Sequence, residues 1–275
     1  MDQSWKNRWW ARAQDTWFRL VEPRRLARAR KLDRRLQRKS PPLVSFPIAT
    51  YNRGQILCER TIPSILNQTY SNLEIIVVGD QVIDDTKERI TALRDARVRF
   101  IDLPRRGQYP ATPKERWFVA GTVPRNVGSG LAQGDWIYMI SDDDVLYPTA
   151  VEKMVAFAEK ENLESVTAAF DYPDQGGNKV RRAEQGIASL GFATSGIPAW
   201  MYRSYLKCFP WNRHSWKKAW NRPCDYDLML RMRRCGVRMG YLDEVVALKP
   251  AVEGTNSTGS VAQLELSTRP GGAHA

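Results

Sequence analysis

The chain has 275 residues, 43% of them hydrophobic, which is enough to bury one large domain or two packed halves. No apolar stretch approaches the roughly 20 residues a bilayer span needs, and the N-terminus lacks a signal-peptide pattern, so a cytoplasmic protein is expected. Cys58, Cys208, Cys224 and Cys235 form no C-x-x-C pair and only His214 and His274 are present, so a zinc centre is excluded and any metal must be held by oxygen.

The formal charge of +12 is unevenly placed: residues 1–40 hold thirteen Lys/Arg and four Asp/Glu, which supplies +9 of it. This segment reads as a basic helical arm that divides at Pro23. Before the proline, Trp5, Trp9, Ala13, Thr16, Trp17, Leu20 and Val21 recur at helical spacing, with Lys6, Arg8, Arg12 and Arg19 around them. Tryptophans flanked by arginines describe an amphipathic helix lying in an anionic membrane surface. After Pro23 the stretch is densely cationic, with Leu26, Leu32 and Leu36 as a thin stripe. A protein partner or nucleic acid are the competing readings, and the tryptophans favour lipid because a polyanion needs no apolar face.

Beyond Ser40-Pro41-Pro42 the spacing predicts a strand over 43–50, with Pro47 marking an edge or a bulge. A turn at 51–54 leads to a helix over 55–68 despite Pro63. Residues 73–78 are a β-branched run expected in a buried parallel strand, followed by Gly79-Asp80. A helix over 84–93, a strand over 98–102, a helical segment over 114–131 broken near Pro124, and a strand over 136–140 come next. A helix over 149–160 and a strand over 165–170 follow, then a Pro/Gly-rich loop at 172–178. Trp200, Trp211, Trp216 and Trp220 mark the next region, suited either to stacking on sugars or to covering the core. An Arg-rich helix over 225–234 precedes a small, polar tail expected to be disordered.

Strand–helix alternation with short links is the pattern of a doubly wound, mostly parallel sheet flanked by helices. In such a sheet Tyr51, Asp80 and the run Ser141-Asp142-Asp143-Asp144 all follow strand carboxyl ends, where ligands bind. Three adjacent carboxylates repel one another unless a cation intervenes, and a hard divalent ion that also grips phosphate would resolve the conflict. The bland alternative is a solvated acidic loop capping the next helix.

Four motifs in order resemble the family 2 glycosyltransferases of the GT-A fold, from about Pro42 to Lys249. They are Thr50-Tyr51-Asn52-Arg53; Ser64-Ile65-Leu66-Asn67-Gln68-Thr69-Tyr70 with the 73–78 run; Gly79-Asp80 with Asp84-Asp85-Thr86; and Arg125-Asn126-x-Gly128 leading to Gly134-Asp135 and the acid run. The resemblance implies an α/β GT-A domain over 42–252, with a nucleotide-sugar half over 42–148 and an acceptor half over 149–252. An arm over 1–41 and a tail over 253–275 flank it. It further implies an inverting enzyme that passes one sugar from a nucleotide-diphosphate sugar, a UDP-sugar in the first instance, to a hydroxyl acceptor. With the tryptophan stripe of the arm, a place on the inner membrane face and a lipid-linked acceptor in cell-surface glycan assembly are expected, a soluble acceptor being the alternative.

By the same resemblance Asp80 takes a hydrogen bond from the nucleobase, Tyr51 flanks it and Thr50 lines its pocket. Asp142 faces the ribose or donor sugar, and Asp143, with Asp144, ligates Mn²⁺ or Mg²⁺. Arg116, Arg125 or Lys114 add charge to the phosphates. Asp225 aligns with the general base, with Asp227 as fallback; capping of the following helix is the structural alternative for Asp225. Gly79 and Cys224 depart from the acids usual at their positions. A metal-dependent nucleotidyltransferase and a non-catalytic membrane adaptor are the rival functions.

Overall fold

The computed structural model describes residues 3–33, 40–173, 180–183, 186–187, 192–193, 197–218 and 223–250. The tail, Leu36 and Trp220 lie outside the described residues. The strands are β1 (Val44–Thr50), β2 (Leu73–Gly79), β3 (Val98–Asp102), β4 (Trp136–Met139), β5 (Val145–Leu146), β6 (Ser165–Pro173), β7 (Val180–Ala183), β8 (Gly186–Ile187), β9 (Phe192–Ala193), β10 (Trp200–Arg203) and β11 (Met239–Leu248). The main sheet runs β3-β2-β1-β4-β10-β6-β11-β5, with β7 paired to β6. β3, β2, β1 and β4 are parallel, β10 is antiparallel to both its neighbours, and β11 is parallel to β6.

The expected strands over the nucleotide half are all present, but β1 is central, not an edge. Pro47 is accommodated because pairing of β1 with β4 is confined to Val44 and Ser45, so the proline follows the point where the two strands part. Side chains alternate across the sheet. Phe46, Ile48, Ile75, Val77 and Tyr138 enter one buried cluster, while Ile76, Val78, Ile137 and Met139 enter a second on the other face.

The helices are α1 (Gln3–Asp33), a composite α2 (Gly54–Ile56, a π turn Leu57–Thr61, and Ile62–Leu66), α3 (Thr86–Ala92), α4 (Pro113–Val119), α5 (Thr122–Leu131), α6 (Ala150–Lys160) and α7 (Cys224–Arg234). The π turn sits just ahead of Pro63, where the i→i−4 ladder has to change register. Between α4 and α5 the break falls at Gly121, with φ +74°, and Pro124 lies inside the first turn of α5. Two glycines of the recognised motifs are explained by close packing. A Cβ on Gly128 would lie 2.9 Å from Pro47 Cβ, and one on Gly134 would lie 2.6 Å from the Leu43 carbonyl oxygen.

The arm departs furthest from expectation. It is one helix through Pro23, which is exposed, as is Arg19, whose carbonyl loses its helical partner. Its inner face is Ala11, Phe18, Glu22 and Leu26, and Leu26 joins the second core cluster. Glu22 and Arg231 of α7 form an ion pair with both side chains 2% exposed. Arg231 Nε also donates to Asp227 at 3.0 Å, Lys218 bonds Asp15 at 2.6 Å and pairs with Asp227, and the Arg231 guanidinium lies 4.3 Å over the Phe18 ring. Arg30 grips Glu164 with two bonds of 2.7 and 2.6 Å. The tryptophans point the other way: Trp5, Trp9 and Trp17 are exposed, together with Leu20 and Leu32.

Phe18→Ala is therefore expected to cost about 3–5 kcal/mol in urea denaturation. Trp9→Ala, on the outer face, is expected to change stability by under about 0.5 kcal/mol. Comparable losses at the two positions would refute this orientation.

Candidate functional site

Because β2, β1 and β4 are neighbours, the turns after them open side by side. Thr50 ends β1, and its carbonyl accepts the Asp80 N–H at 2.9 Å, which joins the first two turns. Thr50 Oγ1 donates to Asp142 at 2.8 Å, which joins the first to the third. The turns that carry Tyr51, Asp80 and Asp142 are thus brought together by backbone topology, as the sheet pattern predicts.

The acid run is nearly sealed, with Asp142 and Asp143 each 7% exposed and Asp144 fully buried. Its charges are met by two cations that sequence reasoning gave no role. Arg53 Nη1 lies 3.1 Å from Asp142 Oδ1 and 2.8 Å from Asp143 Oδ2. Lys249, just past β11, approaches Asp144 Oδ1 to 3.5 Å, while Asp144 Oδ2 accepts the Ser141 N–H at 3.0 Å. Burial pushes the Asp142 and Asp144 carboxyls up, against the pull of Arg53 and Lys249 respectively. Of the two acids expected on a metal, Asp143 shares its cation with Asp142, whereas Asp144 is taken up by Lys249 and its own turn.

Asp80 is buried, and both its oxygens are engaged by the loop after β3: Oδ1 by the Gly107 N–H at 2.8 Å and Oδ2 by the Tyr109 hydroxyl at 2.7 Å. These two bonds fix the carboxylate plane and leave a second lone pair on each oxygen. The Arg106 guanidinium lies 3.7 Å over the Tyr51 ring, so this ring offers its face to a planar partner. Arg116 is directed at the carbonyls of Pro110 and Ala111, at 3.2 and 2.8 Å, so it braces this loop. Of the Lys114 side chain the structure describes nothing.

Asp225 stands in the first turn of α7, half-buried, its Oδ1 accepting the Tyr226 N–H at 2.8 Å. It does not cap the helix, whose N-cap is Pro223 with no side-chain bond. Burial pushes its carboxyl up, partly offset by that N–H, by Arg125 and by Lys249. Asp227 is a different group: burial is overcome by Arg231 and Lys218, which hold it below the usual carboxylate range inside the arm network. It belongs to the scaffold. Arg125 Nη1 donates to the Ala120 carbonyl at 2.7 Å, and its Nε is a buried donor without a partner among the described residues.

Trp200 and Trp211 are buried core residues 5.7 Å apart, which removes Trp211 from any sugar platform. His214 packs edge-on against Trp10 at 4.5 Å, and burial pulls its pKa down to about 4. The glycine at 79 has a spatial reason: a Cβ there would lie 2.5 Å from Asp102 Oδ1, so Asp102, paired opposite it on β3, fills that space. Gly79→Ala is expected to cost about 1–3 kcal/mol by overpacking, and a double change with Asp102→Ala to recover part of it. Strict additivity of the two in denaturant titrations would disprove the contact.

The profile of glycosyl transferase family 2 matches residues 45–112 and 121–231, passing over α4. Succinoglycan biosynthesis protein ExoO of Rhizobium meliloti is 30% identical over 167 residues, which cover 60% of this chain and 43% of that protein. UDP-Glc:alpha-D-GlcNAc-diphosphoundecaprenol beta-1,3-glucosyltransferase WfaP of Escherichia coli is 31% identical over 121 residues, 44% of this chain and 43% of that protein. The chain thus spans under half the length of these two relatives. TarS of S. aureus in complex with UDP-GlcNAc shares the fold with a TM-score of 0.59 at 16% identity, over 78% of this chain and 59% of that one. With its parallel half-sheet, its four motifs and a profile match over most of its length, this chain belongs to glycosyl transferase family 2 and has the GT-A fold.

Proposed function

We propose that the protein transfers a single sugar from a nucleotide-diphosphate sugar, a UDP-sugar in the first instance, to a hydroxyl acceptor with inversion. The observation that carries this reading is the convergence of Tyr51, Asp80 and Asp142–Asp143 on one sheet edge, with Asp225 in the electrostatic field of the cations Arg125 and Lys249. Tyr51 stacks the base, in the place Arg106 now takes, and Asp80 accepts its imide N–H. Asp142 orients the ribose or donor sugar.

A divalent ion fits the donor set. One Arg53 nitrogen already stands where two carboxylate oxygens converge within about 3 Å, a position a hard cation would take over. Among the described residues no group of three or more His, Cys, Asp or Glu is arranged to hold an ion, so phosphate oxygens and water would supply its remaining ligands. Asp143, with Asp142 beside it, would hold Mn²⁺ or Mg²⁺, which when bound supplies Lewis-acid charge to the diphosphate.

Asp225 takes the acceptor proton as the hydroxyl oxygen bonds to the anomeric carbon. Its half-buried position suits a base, because a raised carboxyl pKa holds a proton more firmly at the moment of transfer. A single base with direct attack gives inversion.

The outer face of α1 supports a peripheral place on an anionic membrane surface. Trp5, Trp9 and Leu20 are 58%, 64% and 60% exposed, and Arg8, Arg12, Arg19 and Arg24 stand exposed beside them. No helix among the described residues is long and apolar enough to cross a membrane. A lipid-linked acceptor accords with this, and WfaP is named for a diphosphoundecaprenol substrate.

Calorimetry with UDP, GDP and dTDP is expected to show Mn²⁺-dependent binding of one of them, lost in Asp143→Asn. No binding by the folded chain would sink the transferase reading. Asp225→Asn should abolish transfer while sparing nucleotide affinity. In the native enzyme activity should fall with acid through a pKa above the ordinary ~3.9 of aspartate, since protonation removes the base; a limb at or below that value would remove the assignment. Replacing Trp5, Trp9 and Trp17 by Ala together should weaken sedimentation with anionic vesicles at least tenfold, and unchanged binding would reject the membrane role.

A further inference from the structure

Lys249 lies beyond the residues matched by the family profile and carries no expected role. Its backbone is fixed: Leu248 pairs with Val145, just after the acid run, and the Lys249 N–H donates to the Asp171 carbonyl at 2.8 Å. An ammonium has three donors. Among the described residues its nitrogen has one acceptor, Asp144 Oδ1, at 3.5 Å, the outer limit of a hydrogen bond. The Lys249 side chain is 28% exposed while Asp144 is fully buried, so the pair opens outward from the acid to the cation.

The charged groups around Lys249 are Asp144, Asp143 and Arg125, and both cations act on Asp225. Arg125 brings a second under-satisfied donor, its buried Nε. A partly exposed ammonium with donors unused among the described residues, held against the donor carboxylates by Asp144, describes a place for an anion. If Lys249 served only to neutralise Asp144, a closer contact inside the protein would do so better.

We propose that Lys249 is a catalytic cation that binds the β-phosphate of the donor and stabilises it as it departs. This rests on the donor-site reading given above. As the acceptor oxygen bonds to the anomeric carbon, the bond from that carbon to the phosphate oxygen breaks and its electron pair stays on the phosphate. The acceptor proton passes to Asp225. The negative charge gained by the β-phosphate then lies against the Lys249 ammonium, which keeps its proton throughout. Asp144 is the positioning residue that holds the ammonium there.

The test is calorimetric titration of the native chain, Lys249→Met, Lys249→Arg and the double variant Asp144→Asn with Lys249→Met. The double variant removes both charges of the buried pair, so its fold does not depend on an unpaired acid. The probes are whichever of UDP, GDP and dTDP binds the native chain best, and the matching monophosphate. Diphosphate affinity should fall at least tenfold in Lys249→Met and in the double variant, stay within threefold in Lys249→Arg, and monophosphate affinity should change less than twofold throughout. Equal losses for both nucleotides, or no loss in the folded double variant, overturn the role of Lys249 and leave the donor site standing. A native chain that binds no diphosphate overturns the donor-site reading, and this inference with it.

Discussion

Burying acidic side chains at the end of a central strand is the constraint around which this protein is arranged. A carboxylate removed from water is costly unless a cation and hydrogen bonds replace its hydration. Asp142, Asp143 and Asp144 follow β4 almost sealed from solvent, and Arg53 and Lys249 are brought to them from the turn after β1 and from the end of β11. A pair of unit charges 4 Å apart is worth about 4 kcal/mol at an effective dielectric of 20, so these contacts tie distant parts of the chain to one point. The strand order makes them possible, since β1 lies beside β4 and β11 beside β5.

The same principle governs the arm. Lys218 and Arg231 stand between Asp15, Glu22 and Asp227, and the sharing is unequal. Asp227 is bonded to both cations and is held below its usual range, whereas burial pushes Glu22, bonded to Arg231, above it. Arg231 and Asp227 lie on α7, whose first turn carries Asp225. The arm and Asp225 are therefore anchored to one rigid helix. α1 has two unlike faces, one matched to a protein core through Phe18 and Leu26, the other presenting indoles and guanidinium groups outward.

Departures from the usual family pattern have local causes. Gly79 leaves room for the Asp102 carboxylate, which accepts the Val82 N–H at 3.1 Å. Cys224 is buried in the second core cluster, where a carboxylate would need a partner. Asn126 of the Arg125-Asn126-x-Gly128 motif is structural: it exchanges hydrogen bonds of 3.0 and 2.8 Å with the Trp211 backbone and ties α5 to the segment that follows β10.

Local pattern by itself determined the strands of the nucleotide half, because runs such as 73–78 and 136–140 admit only burial on both faces, and it determined which turns would carry the polar residues. It also separated the charge of the arm from that of the domain. What it could not assign depends on contacts between distant residues. Arg53 and Asp143 are 90 positions apart, and Lys249 and Asp144 are 105 apart, so no window along the chain relates them. Helical periodicity marked the tryptophan face of α1, but amphipathicity gives no sign for inside or outside when both faces carry aromatic and charged groups. Tertiary packing decided that orientation, because Arg231 and Lys218 offered buried partners to Glu22 and Asp15 and His214 packed against Trp10, while Trp5, Trp9 and Trp17 were left exposed.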